Sequence, residues 1–120
     1  HVNRTPVGGT ITDIRYKEGE FLVASKEIAS SANEQNEVTV RTPDGIELTF
    51  KQIAGLIARR IIFNKKVGDT VQTGERIGLM KFGSRMDVLF GDEWTILVKP
   101  GDRVTAGSTV LAERARPSKA

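Results

Sequence analysis

Short runs in which apolar and polar residues alternate make up much of the first half of the chain. These runs are GGTITDIRY, EVTVRT and IELTF, at residues 8–16, 37–42 and 46–50. Alternation with a period of two is typical of half-buried β-strands, and each run is bounded by Gly, Pro, Asp or Asn. Between the last two runs, the pair Asp44-Gly45 predicts a tight hairpin turn. This part of the sequence indicates an antiparallel β-structure.

One segment departs from this pattern. In FKQIAGLIARR, residues 50–60, the apolar positions recur at helical spacing, which predicts one short α-helix near Thr49 to Arg60. Gly55 disfavours a long helix, because glycine costs about 1 kcal/mol relative to alanine. The β-branched run that starts at Ile61 then predicts a return to strand.

The second half contains an internal repeat. KVGDTVQTGERIG at residues 66–78 and KPGDRVTAGSTVL at residues 99–111 share the frame K-x-G-D-x-V-x-x-G-x-x-(I/V). The first glycine of each copy predicts a turn with positive φ, and the aspartate after it can bond the turn backbone. Val71 and Val104 are predicted to point into the core, ahead of short strands that end at Ile77 and Val110.

This frame resembles the hammerhead of biotinyl and lipoyl carrier domains. The resemblance implies a mainly β fold of the barrel-sandwich hybrid type, with the one short helix added. It also leaves a noncatalytic binding or carrier module open as a function, because LMKF around Lys81 is similar to the attachment motif of such carriers. The ordinary interpretation of Lys81 is a solvated strand lysine.

Composition narrows the function further. A length of 120 residues predicts one domain, at 1–112, followed by a polar and frayed tail at 113–120. The 18 Lys and Arg residues are scattered along the chain and are offset by 15 Asp and Glu, which argues against nucleic-acid binding but permits binding to an anionic membrane surface.

The chain has no cysteine and one histidine, His1, so disulfides and a metal site are not expected. No apolar window approaches the roughly 20 residues of a membrane span.

The remaining candidate chemistry lies at Gly83-Ser84, in the stretch IGLMKFGSRMDVLF. A serine hydroxyl that attacks the carbonyl before it converts the amide to an ester, and elimination then leaves a pyruvoyl group. The reaction needs a base and a stabilised oxyanion, and no local motif announces either. From these residues alone, the pair is interpreted as a turn or bulge between strands, because most Gly-Ser pairs are of that kind, and self-cleavage is the alternative.

Several blocks, in their order and spacing, resemble the bacterial short-form phosphatidylserine decarboxylases. They are HVNRTPVGGTI, ANEQNE, QIAGLIARRIIF, VGDTVQTGERIGLMKFGSRMDVLF and VKPGDRVTAGSTVLA. The resemblance runs from His1 to about Ala112. Two positions depart from the family pattern: Arg4 replaces the second histidine of the longer members, and Gln35 replaces a common arginine.

The resemblance implies a pyruvoyl-dependent lyase. Self-cleavage would occur between Gly83 and Ser84, and Ser84 would become the covalent pyruvoyl cofactor. Its carbonyl would condense with the amine of phosphatidylserine and accept electrons while carbon dioxide leaves, which releases phosphatidylethanolamine. His1 matches the family histidine that assists catalysis, as a proton donor or by positioning the carboxylate.

The resemblance also sets the expected partners and location. The aspartate that activates self-cleavage lies upstream in the family, and a chain that begins at His1 rather than Met is expected to lack that upstream segment of its own proenzyme. The enzyme is expected on the cytoplasmic face of the cell membrane, peripheral or anchored by that segment, and a homo-oligomer remains open. The alternatives are the carrier module and a truncated, inactive family member.

Overall fold

The computed structural model of the chain describes residues 2–19, 32–55, 61–80 and 84–115. Strands make these ranges mainly β, as the alternating pattern predicts. They are β1 (Val2–Arg4), β2 (Gly9–Lys17), β3 (Gln35–Arg41), β4 (Glu47–Ile53), β5 (Ile61–Phe63), β6 (Thr70–Val71), β7 (Arg76–Met80), β8 (Arg85–Leu89), β9 (Thr95–Ile96) and β10 (Ala112–Glu113).

The strands form three antiparallel sheets. The largest has the order β6-β2-β3-β4-β8 and curls as a half-barrel. A second sheet has the order β1-β7-β5, and β9 pairs with β10 in a third. Consecutive strands β7 and β8 therefore belong to different sheets.

The hairpin between β3 and β4 confirms the turn predicted at Asp44-Gly45. Gly45 has a φ of 89°, and its N–H donates to the carbonyl of Thr42 at 2.9 Å. The turn sets the register in which Val40 lies opposite Leu48. Cross-strand apolar pairs of this kind stabilise a sheet by roughly 0.2–1 kcal/mol beyond alanine pairs.

The core lies on the inner face of the half-barrel. Val38, Val40, Leu48 and Phe50 are at most 1% exposed, which confirms the alternation read from the sequence. Ile11, Val7, Val71 and Ile77 complete this buried cluster. Each such side chain contributes about 1.5–3 kcal/mol by its removal from water.

The prediction of a helix near Thr49 to Arg60 is wrong over residues 49–53. Residues 49–53 belong to β4, where they pair with β3 on one side and β8 on the other. Gln52 and Ile53 are both fully buried, so this end of β4 is covered on both faces and does not show the period-two pattern. Residues 56–60 lie outside the described ranges.

The two repeat copies share their turns. Gly68 and Gly101 have φ values of 97° and 92°, as predicted. In each copy the aspartate accepts a hydrogen bond from the backbone N–H three residues before it, at 2.9 Å for Asp69 and 3.0 Å for Asp102. These local features follow from the shared frame, because each needs only neighbouring residues.

The copies differ in burial. Val71 is 2% exposed and Ile77 is fully buried, whereas Val104 is 53% and Val110 is 63% exposed. The prediction that Val104 points into the core is therefore wrong, and Val110 lies just before β10 rather than at the end of a strand. The physical reason is location: the first copy forms β6 and β7 of the two larger sheets, whereas the second connects β9 to β10.

The polar tail is held at its start. Glu113 pairs with Thr95, and the guanidinium of Arg114 lies 2.6 Å from the Asp44 carboxylate and 5.2 Å from the centroid of the Trp94 ring. Fraying from residue 113 is therefore not observed for these two residues. Residues 116–120 lie outside the described part of the chain.

We expect the ion pair of Asp44 with Arg114 to make stability depend on pH in acid. Hydrogen bonds from Arg114 and Thr42 lower the pKa of Asp44 below its usual value of 3.8, so the pair stabilises the fold above that value and the contribution fades as pH falls below it. Asp44→Asn should lower the melting temperature at pH 7, and the difference from the unmodified chain should shrink below pH 3.8.

Asp13→Asn serves as the control for this measurement. Asp13 pairs with Arg15 at 2.7 Å, but their side chains are 46% and 76% exposed, so little stability should be lost. Thermal melts of both variants across the acid range would check the prediction. An equal and pH-independent loss in both variants would contradict it.

Candidate active site

Ser84 lies at the point where the chain enters the largest sheet. It is half-buried and directly precedes β8, while β7 ends at Met80 in the neighbouring sheet. The predicted arrangement, a serine between two strands, is therefore confirmed. Gly83 and Lys81 lie outside the described residues.

The residue after Ser84 is held by a two-point ion pair. Arg85 donates from Nε to Asp87 Oδ1 at 2.8 Å and from Nη2 to Oδ2 at 3.2 Å. Residues two apart share a face of a strand, so this contact fits the extended backbone of β8. Arg85 also lies opposite Ile53 in the ladder to β4. The backbone on the C-terminal side of Ser84 is thus fixed.

The start of β1 approaches the same region from the other sheet. Val2 pairs with Leu79 near the end of β7, so the backbone next to His1 lies beside the strand that leads toward Ser84. His1 itself lies outside the described residues.

A buried chain of amide side chains ties these strands together. Gln52 Nε2 donates to Asn3 Oδ1 at 2.8 Å and to the backbone carbonyl of Ile62 at 3.2 Å. Asn36 Nδ2 donates to Gln52 Oε1 at 3.1 Å. Gln52 is fully buried, and Asn36 and Asn3 are 4% and 5% exposed. The network therefore links β1, β3, β4 and β5 across the two larger sheets.

Gly78 makes room for this network. A Cβ at Gly78 would lie 2.2 Å from the backbone carbonyl oxygen of Ile62 and 2.7 Å from Gln52 Nε2. Real Cβ atoms essentially never show distances below 3.0 Å, so a side chain here would displace both the backbone of β5 and the amide. The last glycine of the first repeat copy is thus explained first by close packing against the backbone of Ile62 and then by the Gln52 amide.

The segment ANEQNE is part of this buried polar region. Asn33 is fully buried and its Nδ2 donates to the carbonyl of Ala54 at 2.7 Å, while Gln35 Nε2 donates to the carbonyl of Asn33 at 3.1 Å. Gln35, which replaces a common family arginine, therefore has a structural contact here. The sequence analysis does not identify Asn3, Asn36 and Gln52 as parts of the site. The pattern that indicates them is a run of amide residues inside strand-like segments.

An apolar groove of about 570 Å³ begins beside this site. Met86, Val88 and Phe90 form one row along it, as alternate residues of β8 and its continuation, and Ser84 lies two residues before this row. Residues 2–7 and residues 104–112 also line the groove, and residues 104–111 belong to the second repeat copy. Arg4 is the charged residue of the lining, and its Nη1 donates to the carbonyl of Gly74 at 2.8 Å.

The pKa shifts of Tyr16, Lys65 and Glu75 do not turn any of these three groups into a base that titrates near neutral pH. A hydrogen bond to Glu34 raises the pKa of Tyr16 to about 12, so the phenol stays protonated at neutral pH. The hydrogen bond between Lys65 and Glu75 raises the pKa of the lysine and lowers that of the glutamate, which keeps both charged. These shifts stabilise surface contacts and supply no proton acceptor for Ser84.

Residues 2–19, 32–55, 61–80 and 84–115 contain no cluster of three or more His, Asp or Glu side chains arranged to hold a metal ion. They also contain no helix with the length and apolar character needed to cross a membrane.

Fold and site together define a mainly β domain with two hammerhead turns and a serine, Ser84, that directly precedes a strand of the largest sheet. The family described as phosphatidylserine decarboxylase matches residues 1–112. The chain belongs to the phosphatidylserine decarboxylase family. A comparison with solved structures finds no match.

Relatives of this chain include proteins named phosphatidylserine decarboxylase proenzyme. One from Solibacter usitatus is 67% identical over 114 residues, covering 95% of this chain and 55% of the relative. Those from Mycolicibacterium smegmatis and Cereibacter sphaeroides are 47% and 48% identical, covering 96% and 94% of this chain and 50% and 49% of the relatives. The chain thus spans about half the length of the curated relatives it matches.

Proposed function

We propose that this chain carries the processing and cofactor-forming part of a phosphatidylserine decarboxylase, which converts phosphatidylserine to phosphatidylethanolamine. The observation that carries the proposal is the family match over residues 1–112, which includes Gly83-Ser84, together with the position of Ser84 between two anchored strands. Cleavage of the bond between Gly83 and Ser84 forms the cofactor from the chain itself.

The proposed cleavage begins at the hydroxyl of Ser84. Its oxygen attacks the carbonyl carbon of Gly83 while the hydroxyl proton passes to the amide nitrogen, and the amide becomes an ester. Loss of the Cα proton of Ser84 then expels the Gly83 carboxylate by elimination. Addition of one water releases ammonia and leaves a ketone at the new N-terminus. The two products are residues 1–83 with a free carboxylate and residues 84–120 with a pyruvoyl group.

The surroundings of Ser84 fit such a group. The pyruvoyl carbonyl supplies an electron sink for loss of carbon dioxide from an amino-acid derivative. Arg85 and Asp87 hold the backbone that would carry it, and the ladder to β4 prevents that backbone from moving away after cleavage. Ser84 is half-buried, so a group formed there is partly shielded from water.

His1 is proposed as the catalytic partner of this group. The pairing of Val2 with Leu79 supports the assignment, because Val2 follows His1 in the chain and lies beside the end of β7, the strand that precedes Gly83-Ser84 in the sequence. An imidazole in that place supplies a proton or binds the substrate carboxylate. The protein is proposed to work at the surface of the cell membrane, where its substrate resides, with the upstream part of its proenzyme as partner.

Intact-mass measurement tests the proposal. The chain should be joined to the part of the Solibacter usitatus relative that lies outside the matched region, so that groups contributed by that part are present. Two fragments, with the C-terminal one beginning at residue 84 and lighter by one ammonia than a hydrolytic product, are expected. A joined chain that stays whole, with Ser84 unmodified, would favour the inactive family member instead. A mass gain on Lys81 would favour the carrier module.

His1→Ala should separate processing from decarboxylation. In the joined chain we expect normal cleavage but a decarboxylation rate lower by about 10²–10⁴-fold, the range lost with a positioned acid or base. Release of carbon dioxide from phosphatidylserine in mixed micelles would measure the rate, and intact mass would measure cleavage. Asn64→Ala, at an exposed position just after β5, is the control. A decarboxylation rate unchanged by His1→Ala would remove the residue from the mechanism.

A further inference from the structure

Arg4 gives the apolar groove a positive charge. Among the residues that the structure describes, those that line the groove include no Asp or Glu, and most of them are apolar. The other polar members of the lining are neutral, with hydroxyl or amide side chains. The groove therefore complements a ligand that joins a negative charge to a large apolar part.

The Arg4 side chain lies between equivalent turns of the two repeat copies. Its Nη1 donates to the carbonyl of Gly74 at 2.8 Å. Gly107 holds the same frame position in the second copy, and a Cβ there would lie 3.0 Å from Arg4 Cδ and 3.1 Å from Nε. A glycine at this place thus lets the arginine lie close to the second turn. Because a guanidinium carries several N–H donors in a planar fork, an arginine held in this way can still donate to an anion.

The apolar part of the groove follows β8. Met86, Val88 and Phe90 share one face of the extended chain, and their row is about 13 Å long at the usual rise of a strand. Val110, which is 63% exposed, adds to this apolar lining. A volume of about 570 Å³ is in the range of small-ligand sites. An acyl chain suits such a row, because it gains from removal from water and needs no hydrogen-bond partner.

We propose that this groove binds the phospholipid substrate, with Arg4 donating to the phosphodiester and the row from Met86 to Phe90 contacting an acyl chain. This inference rests on the proposed function and adds the residues that hold the lipid. The row begins two residues after Ser84, so the acyl chain would lie along the strand whose start carries the proposed cofactor. Free phosphate would use only the arginine, and a neutral apolar segment only the row, whereas a phospholipid uses both.

Trp94 makes occupancy of the groove measurable. It lines the groove and is the single tryptophan of the chain, so its fluorescence reports a ligand bound there. The 120-residue chain should be titrated with dihexanoyl phosphatidic acid, at concentrations too low for micelles. Dihexanoylglycerol, which lacks the phosphate, and glycerol 3-phosphate, which lacks the acyl chains, are the comparison ligands. We expect saturable binding of phosphatidic acid, at least about tenfold tighter than that of either comparison ligand.

The readout is independent of the chemistry at Ser84. None of the three ligands carries an amine, so binding needs neither a pyruvoyl group nor decarboxylation. The same titrations, followed by calorimetry, should be repeated on the joined chain with Ser84→Ala. A joined chain that binds phosphatidic acid but, with Ser84 present, neither cleaves nor decarboxylates would contradict the proposed function and leave the lipid site standing.

Arg4→Gln should weaken the binding of phosphatidic acid by at least about tenfold, because the phosphate loses charge-assisted hydrogen bonds. The affinity for dihexanoylglycerol should not change. Arg4→Lys should restore part of the loss, since an ammonium keeps the charge without the planar fork. Arg103→Gln is the matched control, because it removes the same charge from an exposed position of the second repeat copy that does not line the groove. Melting temperatures are measured first, since Arg4 also bonds to Gly74.

Val110→Asp tests the apolar part without touching Arg4. Val110 is exposed, so the variant should keep the melting temperature of the chain. A carboxylate placed in the groove should weaken phosphatidic acid binding by at least about tenfold. Val67→Asp is the control, since Val67 is 57% exposed and does not line the groove. If Arg4→Gln fails to fold, the comparison of these two variants decides the proposal.

Several results would overturn the proposal. An absence of saturable binding, or equal affinity for phosphatidic acid and dihexanoylglycerol, would remove the phosphate from the recognition. Equal affinity for glycerol 3-phosphate would reduce the site to one for a free anion. Equal losses in Arg4→Gln and Arg103→Gln would mean that net charge alone attracts the lipid. Binding that is present in the 120-residue chain but lost in the joined chain would assign the groove to a polypeptide segment of the proenzyme.

Discussion

Ser84→Ala should abolish both processing and decarboxylation in the chain joined to the remaining part of its Solibacter usitatus relative. Alanine has no hydroxyl to attack the preceding carbonyl, so neither the ester nor the ketone derived from it can form. Ser84 is half-buried in a region without assigned strand pairing, so the substitution should leave the fold intact. Intact mass would show one chain, and carbon dioxide release would fall to background.

Conservative variants make this prediction specific. Ser84→Thr and Ser84→Cys keep a nucleophile and should cleave more slowly, but Ser84→Thr would form a group with one additional carbon and not a pyruvoyl group. Circular dichroism and melting temperature of Ser84→Ala should match the parent chain. Cleavage of the Ser84→Ala variant at the same bond would mean that another group opens the peptide, and the assignment of Ser84 would be wrong.

Gln52→Leu should destabilise the fold by about 2–6 kcal/mol. Leucine has nearly the same reach but cannot bond, so Asn3 Oδ1 and Asn36 Nδ2 would be left buried without this partner, and each such group costs about 1–3 kcal/mol. The loss should appear as a lower urea midpoint with an unchanged slope. Asn3 lies on β1, two residues after His1, so the loss of its bond to Gln52 should loosen β1. The joined chain should therefore also lose decarboxylation activity.

Gln72→Leu is the matched control, because Gln72 carries the same side chain at an exposed position. Surface changes of this kind usually alter stability by less than about 0.5 kcal/mol. A double variant that replaces Gln52 and Asn3 together should cost less than the sum of the two single changes, since both lose the same bond. Additive losses would show that the amide network is not the source of the stability.

The sequence determined the features that depend on neighbouring residues. The hairpin at Asp44-Gly45 and the positive φ of Gly68 and Gly101 follow from turn chemistry that a few residues specify. The burial of Val38 and Val40 follows from period-two alternation on a sheet with one covered face. The family resemblance, carried by the order of several motifs, also singled out Gly83-Ser84 in the sequence.

Tertiary structure decided the features that depend on what packs against what. Residues 49–53 form a strand because β3 and β8 pair with both of its edges, although their spacing predicted a helix. Val104 is exposed and Val71 is buried despite identical frames, because only the first copy joins the larger sheets. Gln52 becomes central because Asn3 and Asn36, distant in sequence, meet it in the interior. Local propensity and pattern cannot encode such partners, since burial and hydrogen bonding are set by residues far along the chain.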